Sequence, residues 1–272
     1  MATTMASSAS SLAVSLHEHN KYMSTNARVE SGPIDYSKMM QQKPQDSPMI
    51  PLTDGIRVVT AAEYKEAAAC LAEAFAEDDV ARYFIDVPDR AQWTDRQKWD
   101  LHVEILEYVT YAHIMKGLVT TIGDFDAVAL WMPPGQNMDD YWTMLRSGMW
   151  RLNYRLSGEG KRRFFNEFLP LLHDTKAGTL GAQDDHSWYL VYIGTRPAAQ
   201  GKGHCRKLIE HVTNHADVEG RMTYLESSND RNPAIYRRFG FETVRTVHLQ
   251  RGEKNVSLDI MVREPEKGLE EK

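Results

Sequence analysis

In the stretch Gln200-Gly201-Lys202-Gly203-His204-Cys205, two glycines flank a lysine where an apolar run, WYLVYIGT, gives way to an amphipathic one, CRKLIEHV. Those residue types in that order suit a phosphate. Gly201 and Gly203 carry no side chain where backbone must come close to a ligand. The free amides of a helix start, with the helix dipole, attract the negative charge of a pyrophosphate, and Lys202 adds a cation. Leu208, Ile209 and Val212 recur at a spacing that buries one helix face and holds those amides against a sheet. The pattern is not a P-loop, because Gly-x-x-x-x-Gly-Lys-Ser/Thr is absent and no hydroxyl follows Lys202. It is not a nicotinamide fingerprint either, since Arg206 stands where the third glycine would be.

A second block, YLESSNDRNPAIYRRFGFETV, places an acid, Glu226, near the end of a strand and a phenol, Tyr236, on the short helix that follows. Ser228 or Asn229 can cap that helix, and Pro233 is tolerated in a first turn that needs no intrahelical donor.

The elements that must hold these residues follow from periodicity. IRVVT at Ile56 predicts a strand, and AAEYKEAAACLAEAFA puts Tyr64, Ala67, Leu71 and Phe75 on one helical stripe. Asp78 and Asp79 predict a cap for a helix through VARYFI, and a further helix runs to Gly117. LVTTIG and AVALWMPP, separated by Asp124 to Asp126, predict an antiparallel hairpin. Residues 137–177 predict two helices broken at Gly158 and Gly160, an insertion whose Trp142, Trp150, Phe164, Phe165 and Phe168 supply core packing. The remainder alternates strand and helix and ends in two strands. Residues 1–54, rich in Ser, Ala, Met, Gln and Pro, are expected to be a disordered arm. Its first basic residues, Lys21 and Arg28, follow Glu18, the wrong charge order for a mitochondrial transit peptide. The folded domain is expected over 55–265, with a charged tail at 266–272.

The 272 residues, 42% hydrophobic and 26% charged with a formal net charge of -6, can bury a substantial core. Collagen, coiled coil and wholesale disorder are excluded. Two cysteines, Cys70 and Cys205, build no disulfide framework and no Cys/His set has zinc spacing, which fits a reducing, cytosolic compartment and no metal. No apolar run reaches the roughly 18 to 20 residues of a membrane span, and the acidic balance gives no general field for nucleic acid or anionic lipid.

Gln200-x-x-Gly203-x-Cys205 resembles the coenzyme-binding signature Gln/Arg-x-x-Gly-x-Gly/Ala of the GNAT superfamily of acyl-CoA-dependent N-acetyltransferases, with Cys205 in place of the usual Gly or Ala. The run from Leu225 and Glu226 through Arg231, Asn232, Tyr236 and Gly240-Phe241 is similar to the puromycin N-acetyltransferase-like subgroup. AVALW with Trp131 and WYL with Trp188 resemble it too. The likeness covers most of residues 56–263, is weakest over 137–177 and is absent from the arm.

The resemblance implies a mixed α/β GNAT fold, with a mostly antiparallel sheet splayed at its fourth and fifth strands and flanked by helices. It implies acetyl-CoA as co-substrate, its pantetheine arm taken up by the backbone of Ile193, Gly194 and Thr195. The coenzyme's phosphates would lie against Gln200, Gly201, Lys202, Gly203, His204 and Cys205, with Asn232 also on the coenzyme side. Tyr236, a phenol with reference pKa near 10, would protonate the leaving thiolate, and one strand amide would stabilise the oxyanion. Cys205 reads as a small packing residue rather than a reactive thiol. Glu226 is the first candidate for the general base, with a strand-edge charge or substrate anchor as its other reading; Tyr189 and His186 come second. The acceptor expected is a primary amine of a small molecule, a xenobiotic, an antibiotic or a natural-product intermediate. Transfer to a hydroxyl or a protein lysine, and a noncatalytic acyl-CoA-binding regulator, stand as alternatives.

Overall fold

The computed structural model describes residues 50–52, 55–138 and 140–266. The expected arm and tail lie outside the described residues apart from 50–52 and Glu266. Ile50 is buried in the main core, so packed chain begins a few residues before the first strand.

The strands are β1 (Ile56–Val58), β2 (Leu118–Ile122), β3 (Ala127–Met132), β4 (Trp188–Thr195), β5 (Thr223–Ser227), β6 (Glu242–Leu249) and β7 (Val256–Arg263). They form one sheet in the order β1-β2-β3-β4-β5-β7-β6, antiparallel throughout except for β4 against β5. The helices are α1 (Tyr64–Ala74), α2 (Asp79–Ile85), α3 (Asp95–Lys116), α4 (Tyr141–Ser147), α5 (Leu152–Arg155), α6 (Gly158–Lys161), α7 (Leu169–Leu180), α8 (His204–Val218) and α9 (Asn232–Tyr236). This is the mixed α/β architecture that the alternation of patterns predicts.

Local chemistry sets the element boundaries. Asp78 caps α2, its carboxylate accepting from the amides of Val80 and Ala81 at 3.0 Å. Thr94 and Gln97 close a capping box on α3. The break expected at the glycines of the insertion falls at the extended Leu156 and Ser157, just before Gly158: Ser157 caps α6, and from there the helical path continues through a π-helical stretch, Arg162–Phe168, into α7. Gly160 is needed there because a Cβ would stand 2.9 Å from the carbonyl of Phe84.

The sheet has two buried faces. On one, α8 packs Leu208, Ile209 and Val212 against Trp131, Trp188, Leu190, Leu225 and Met261. On the other, α1 and α3 cover Val119, Val128 and Leu130, and the insertion covers the β4 to β6 half. Phe164, Phe165 and Phe168 fill the second face as the sequence predicts, but Trp150 is 40% exposed and belongs to no core cluster among the described residues.

Candidate active site

β4 pairs with β5 only through Trp188↔Thr223, Tyr189↔Tyr224 and Leu190↔Leu225, whereas its pairing with β3 continues to Thr195. The two strands therefore part at Val191. The register slip against β3 falls at the same place, since Leu130 opposes Tyr192 and Trp131 opposes Leu190, leaving Val191 as the extra residue. A bulge bends and twists a strand, and here it turns the second half of β4 away from β5.

The far half of β4 keeps half of its backbone for β3. The amide of Arg196 donates to the carbonyl of Asp126 at 2.9 Å, which by the antiparallel alternation makes Gly194 a residue bonded to Val128. Ile193 and Thr195 turn their N–H and C=O groups the other way, into the gap that β5 has left. Of the three residues expected to line the gap with backbone, Gly194 does not. Its own space is filled by α1: a Cβ there would lie 2.7 Å from the Cβ of Ala74. Its lack of a side chain serves helix packing.

The turn from β4 into α8 has the shape the sequence implies. Gly201 and Gly203 both take φ +79°, in the left-handed region, and a Cβ at either would meet open space. Gly203 is the N-cap of α8 and no side chain caps the helix, so its first amides are donors without an intrahelical partner. Gln200 and Lys202 are exposed beside them. Those donors and the gap beside Ile193 and Thr195 are continuous along the chain, and they fit a long ligand with an apolar arm and a phosphate end. Cys205 packs against the core, and burial lifts its thiol to about 11, which leaves it protonated and inert. Asn232 opens α9 and spends its amide on the carbonyl of Asn229 at 3.0 Å.

Tyr236 ends α9 in the core under α8, where it meets Phe241 edge to face at 6.0 Å. Burial, with the neighbouring Cys205, pushes its phenol well above the ordinary value, so it stays protonated. Glu226 sits one residue beyond the last β4–β5 pair, on the opposite face from Leu225. Its Oε2 accepts the hydroxyl of Tyr189 at 2.6 Å, while Oε1 is buried and the Tyr224 hydroxyl also acts on the carboxyl. Burial raises its carboxyl to about 7, against the opposing pull of Tyr189, Tyr224 and Lys176. A carboxyl poised there changes protonation state near neutrality. Tyr189 is thus the donor that orients Glu226, and its own phenol is pushed well above the usual range by burial and by Glu226. His186 is exposed beyond the paired end of β4, on the wrong side of Trp188 for the gap.

Sequence reasoning reads Asp78 only as a helix cap, and the structure adds a second contact. Its Oδ2 accepts the hydroxyl of Ser228, from the loop after β5, at 2.5 Å. Burial raises the Asp78 carboxyl. Asp78 and Glu226 both act electrostatically on Tyr192, which stacks edge to face on Phe75 at 5.3 Å. The signal that could have found Asp78 is its place just after α1, but 150 residues separate it from Ser228. Among the described residues no group of His, Cys, Asp and Glu could hold a metal ion, and no helix is long and apolar enough to cross a membrane.

A parallel pair that opens at a bulge, with a glycine turn feeding an uncapped helix, is the arrangement that the resemblance to acyl-CoA-dependent acyltransferases implies. A family model described as an acetyltransferase (GNAT) domain matches residues 168–243, the segment that carries the gap, the glycine turn, Glu226 and Tyr236. A Schizosaccharomyces pombe protein named as an uncharacterized N-acetyltransferase is 51% identical over 208 residues, spanning 76% of this chain and 82% of that one. Among solved structures, a mosquito arylalkylamine N-acetyltransferase like 5b is similar in fold, with TM-score 0.51 and 12% identity over 77% of this chain and 98% of that one. A polyamine N acetyltransferase of Drosophila melanogaster has TM-score 0.49 at 13% identity over 77% and 98%. The chain belongs to the GNAT acetyltransferases, enzymes that take their acetyl group from acetyl-CoA.

Proposed function

We propose that this enzyme acetylates the primary amine of a small molecule in the cytosol, with Glu226 as general base and Tyr236 as general acid. One observation carries the reading: Glu226, a buried carboxyl raised to about 7, lies at the vertex where β4 and β5 part. Acetyl-CoA supplies an activated thioester. Ile193 and Thr195 offer it the backbone groups of β4, and the first amides of α8 with Lys202 receive its phosphates. Asn232 is assigned to the coenzyme side in this reading.

An amine arrives mostly as the ammonium ion and must lose a proton to attack. Glu226 is the acceptor for that proton, through the buried Oε1 that Tyr189 does not hold. Asp78 and Glu226 make this side of the gap attractive to a cation, and Phe75 and Tyr192 give it an apolar wall. Tyr236, protonated between turnovers, delivers its proton to the sulfur as the thioester breaks and regains one from solvent before the next cycle. Holding both partners in line supplies much of the rate. The two free thiols, Cys70 and Cys205, suit the reducing cytosol.

The test is release of coenzyme A from acetyl-CoA with panels of small amines, alcohols and lysine peptides. Turnover is expected on the amines. Tyr236→Phe should lower it about 10- to 100-fold while the Kd for acetyl-CoA stays within about twofold. Tight coenzyme binding with no turnover on any panel would make the chain a regulator and end the proposal.

A further inference from the structure

Lys176, on α7 of the insertion, has no part in the steps above. Its ammonium bonds to the carboxylate of Asp184 and, at 3.0 Å, to the backbone carbonyl of Asp184. It lies 5.8 Å from the ring centroid of Tyr189 and 6.0 Å from that of Tyr224. Those rings stand edge to face 5.4 Å apart on the sheet face that carries Glu226. Tyr189 holds one oxygen of Glu226, and the buried Tyr224 hydroxyl acts on the same carboxyl. The insertion thus reaches across the sheet face and places a cation behind the pair of phenols that surrounds the carboxyl.

We infer that Lys176 is a positioning residue for Glu226: it holds the two phenols in place and favours the carboxylate form that an incoming amine needs. The inference deepens the proposed mechanism and rests on Glu226 as its base. The groups facing Glu226 are Tyr189 and Tyr192 from β4, Tyr224 from β5 and Lys176 from α7. Behind them lie Asp184 and Arg245, which act on Tyr224, and Asp78, which acts on Tyr192. Burial opposes ionisation of Glu226, and Lys176 is the one cation among these groups acting on it directly. Asp184 neutralises part of that cation. Removing Lys176 therefore makes Glu226 harder to ionise, and removing the charge of Asp184 makes it easier.

The experiment follows kcat/KM for an amine substrate against pH in the full chain and in Lys176→Met, Lys176→Arg, Asp184→Asn and Glu226→Gln. In Lys176→Met the acidic limb should move up by about one pH unit, a loss of about tenfold on the limb, with the alkaline plateau within about twofold. Lys176→Arg should restore the limb, and Asp184→Asn should move it down. If Lys176→Met does not fold, the opposite shift in Asp184→Asn still decides. A limb that disappears in Glu226→Gln but stays in place in Lys176→Met and Asp184→Asn overturns this inference and leaves the base intact. A limb that survives in Glu226→Gln overturns both.

Discussion

Glu226 stores free energy against the fold, and that follows from its burial. Its carboxyl titrates at about 7 in the folded chain against an ordinary 4.5, so the native state holds the proton more tightly than the unfolded one. A raised carboxyl contributes fully to stability below about pH 4.5, and that contribution is lost as pH rises through about 7. Ionised at pH 8, it leaves the fold less stable by about 3 kcal/mol. Glu226→Gln carries no charge at any pH. It should raise the unfolding free energy by about 2 to 3 kcal/mol at pH 8, leave it nearly unchanged at pH 4, and cut turnover about 100-fold or more. Denaturant titration at the two pH values separates this from simple repacking, which would shift both alike. The same logic makes Cys205 and Tyr236 quiet: burial keeps both protonated at neutral pH, and the proposed mechanism uses only the phenol as an acid.

Two glycines 9 residues apart do different work at the scale of elements. Gly203 is held at φ +79° with open space around it, and Gly194 is extended but pressed under α1. Gly203→Asp should raise the Kd for acetyl-CoA at least about tenfold, because a carboxylate would stand where the phosphates must lie, with a stability loss near 1 kcal/mol from the left-handed backbone. Gly194→Ala should do the reverse, costing about 1 to 3 kcal/mol of overpacking against Ala74 and changing the Kd only as α1 shifts. Calorimetric titration and thermal unfolding of both variants check the contrast. The glycine turn was legible in the sequence because it is local: a strand, two glycines and an amphipathic helix in twenty-odd residues. The purpose of Gly194 was not, because it depends on where α1 crosses β4. The contact of Tyr189 with Glu226 was hidden for a related reason. It needs the one parallel register in the sheet and the bulge at Val191, and neither leaves a mark in hydrophobic alternation.

At the scale of the molecule, the proposed mechanism puts the coenzyme's helix, α8, and the base Glu226 on opposite faces of one sheet, and the insertion packs on the face of Glu226. Its place is fixed by a knot of hydrogen bonds among three distant stretches of chain. Tyr83 of α2 donates its hydroxyl to Glu167 at 2.6 Å and accepts the amide of Arg251 at 2.7 Å. Glu167 also accepts the amide of Gln250 at 2.6 Å. Arg163, 4.7 Å over the Tyr83 ring, donates to the carbonyl of Tyr83 at 2.9 Å. Sequence patterns announced the aromatic residues here but not the knot, since its partners lie 80 and 168 residues from Tyr83. Tyr83→Phe removes one hydroxyl and leaves the Arg251 amide and a Glu167 oxygen without their partner, which costs about 1 to 3 kcal/mol. In the proposed reading this loosens the wall of the acceptor side, whereas no hydrogen bond of the knot involves the β4–α8 turn. The expected result is a lower unfolding midpoint and a KM for the amine raised severalfold, with the Kd for acetyl-CoA unchanged. Equal weakening of both ligands would mean that the insertion also shapes the coenzyme side.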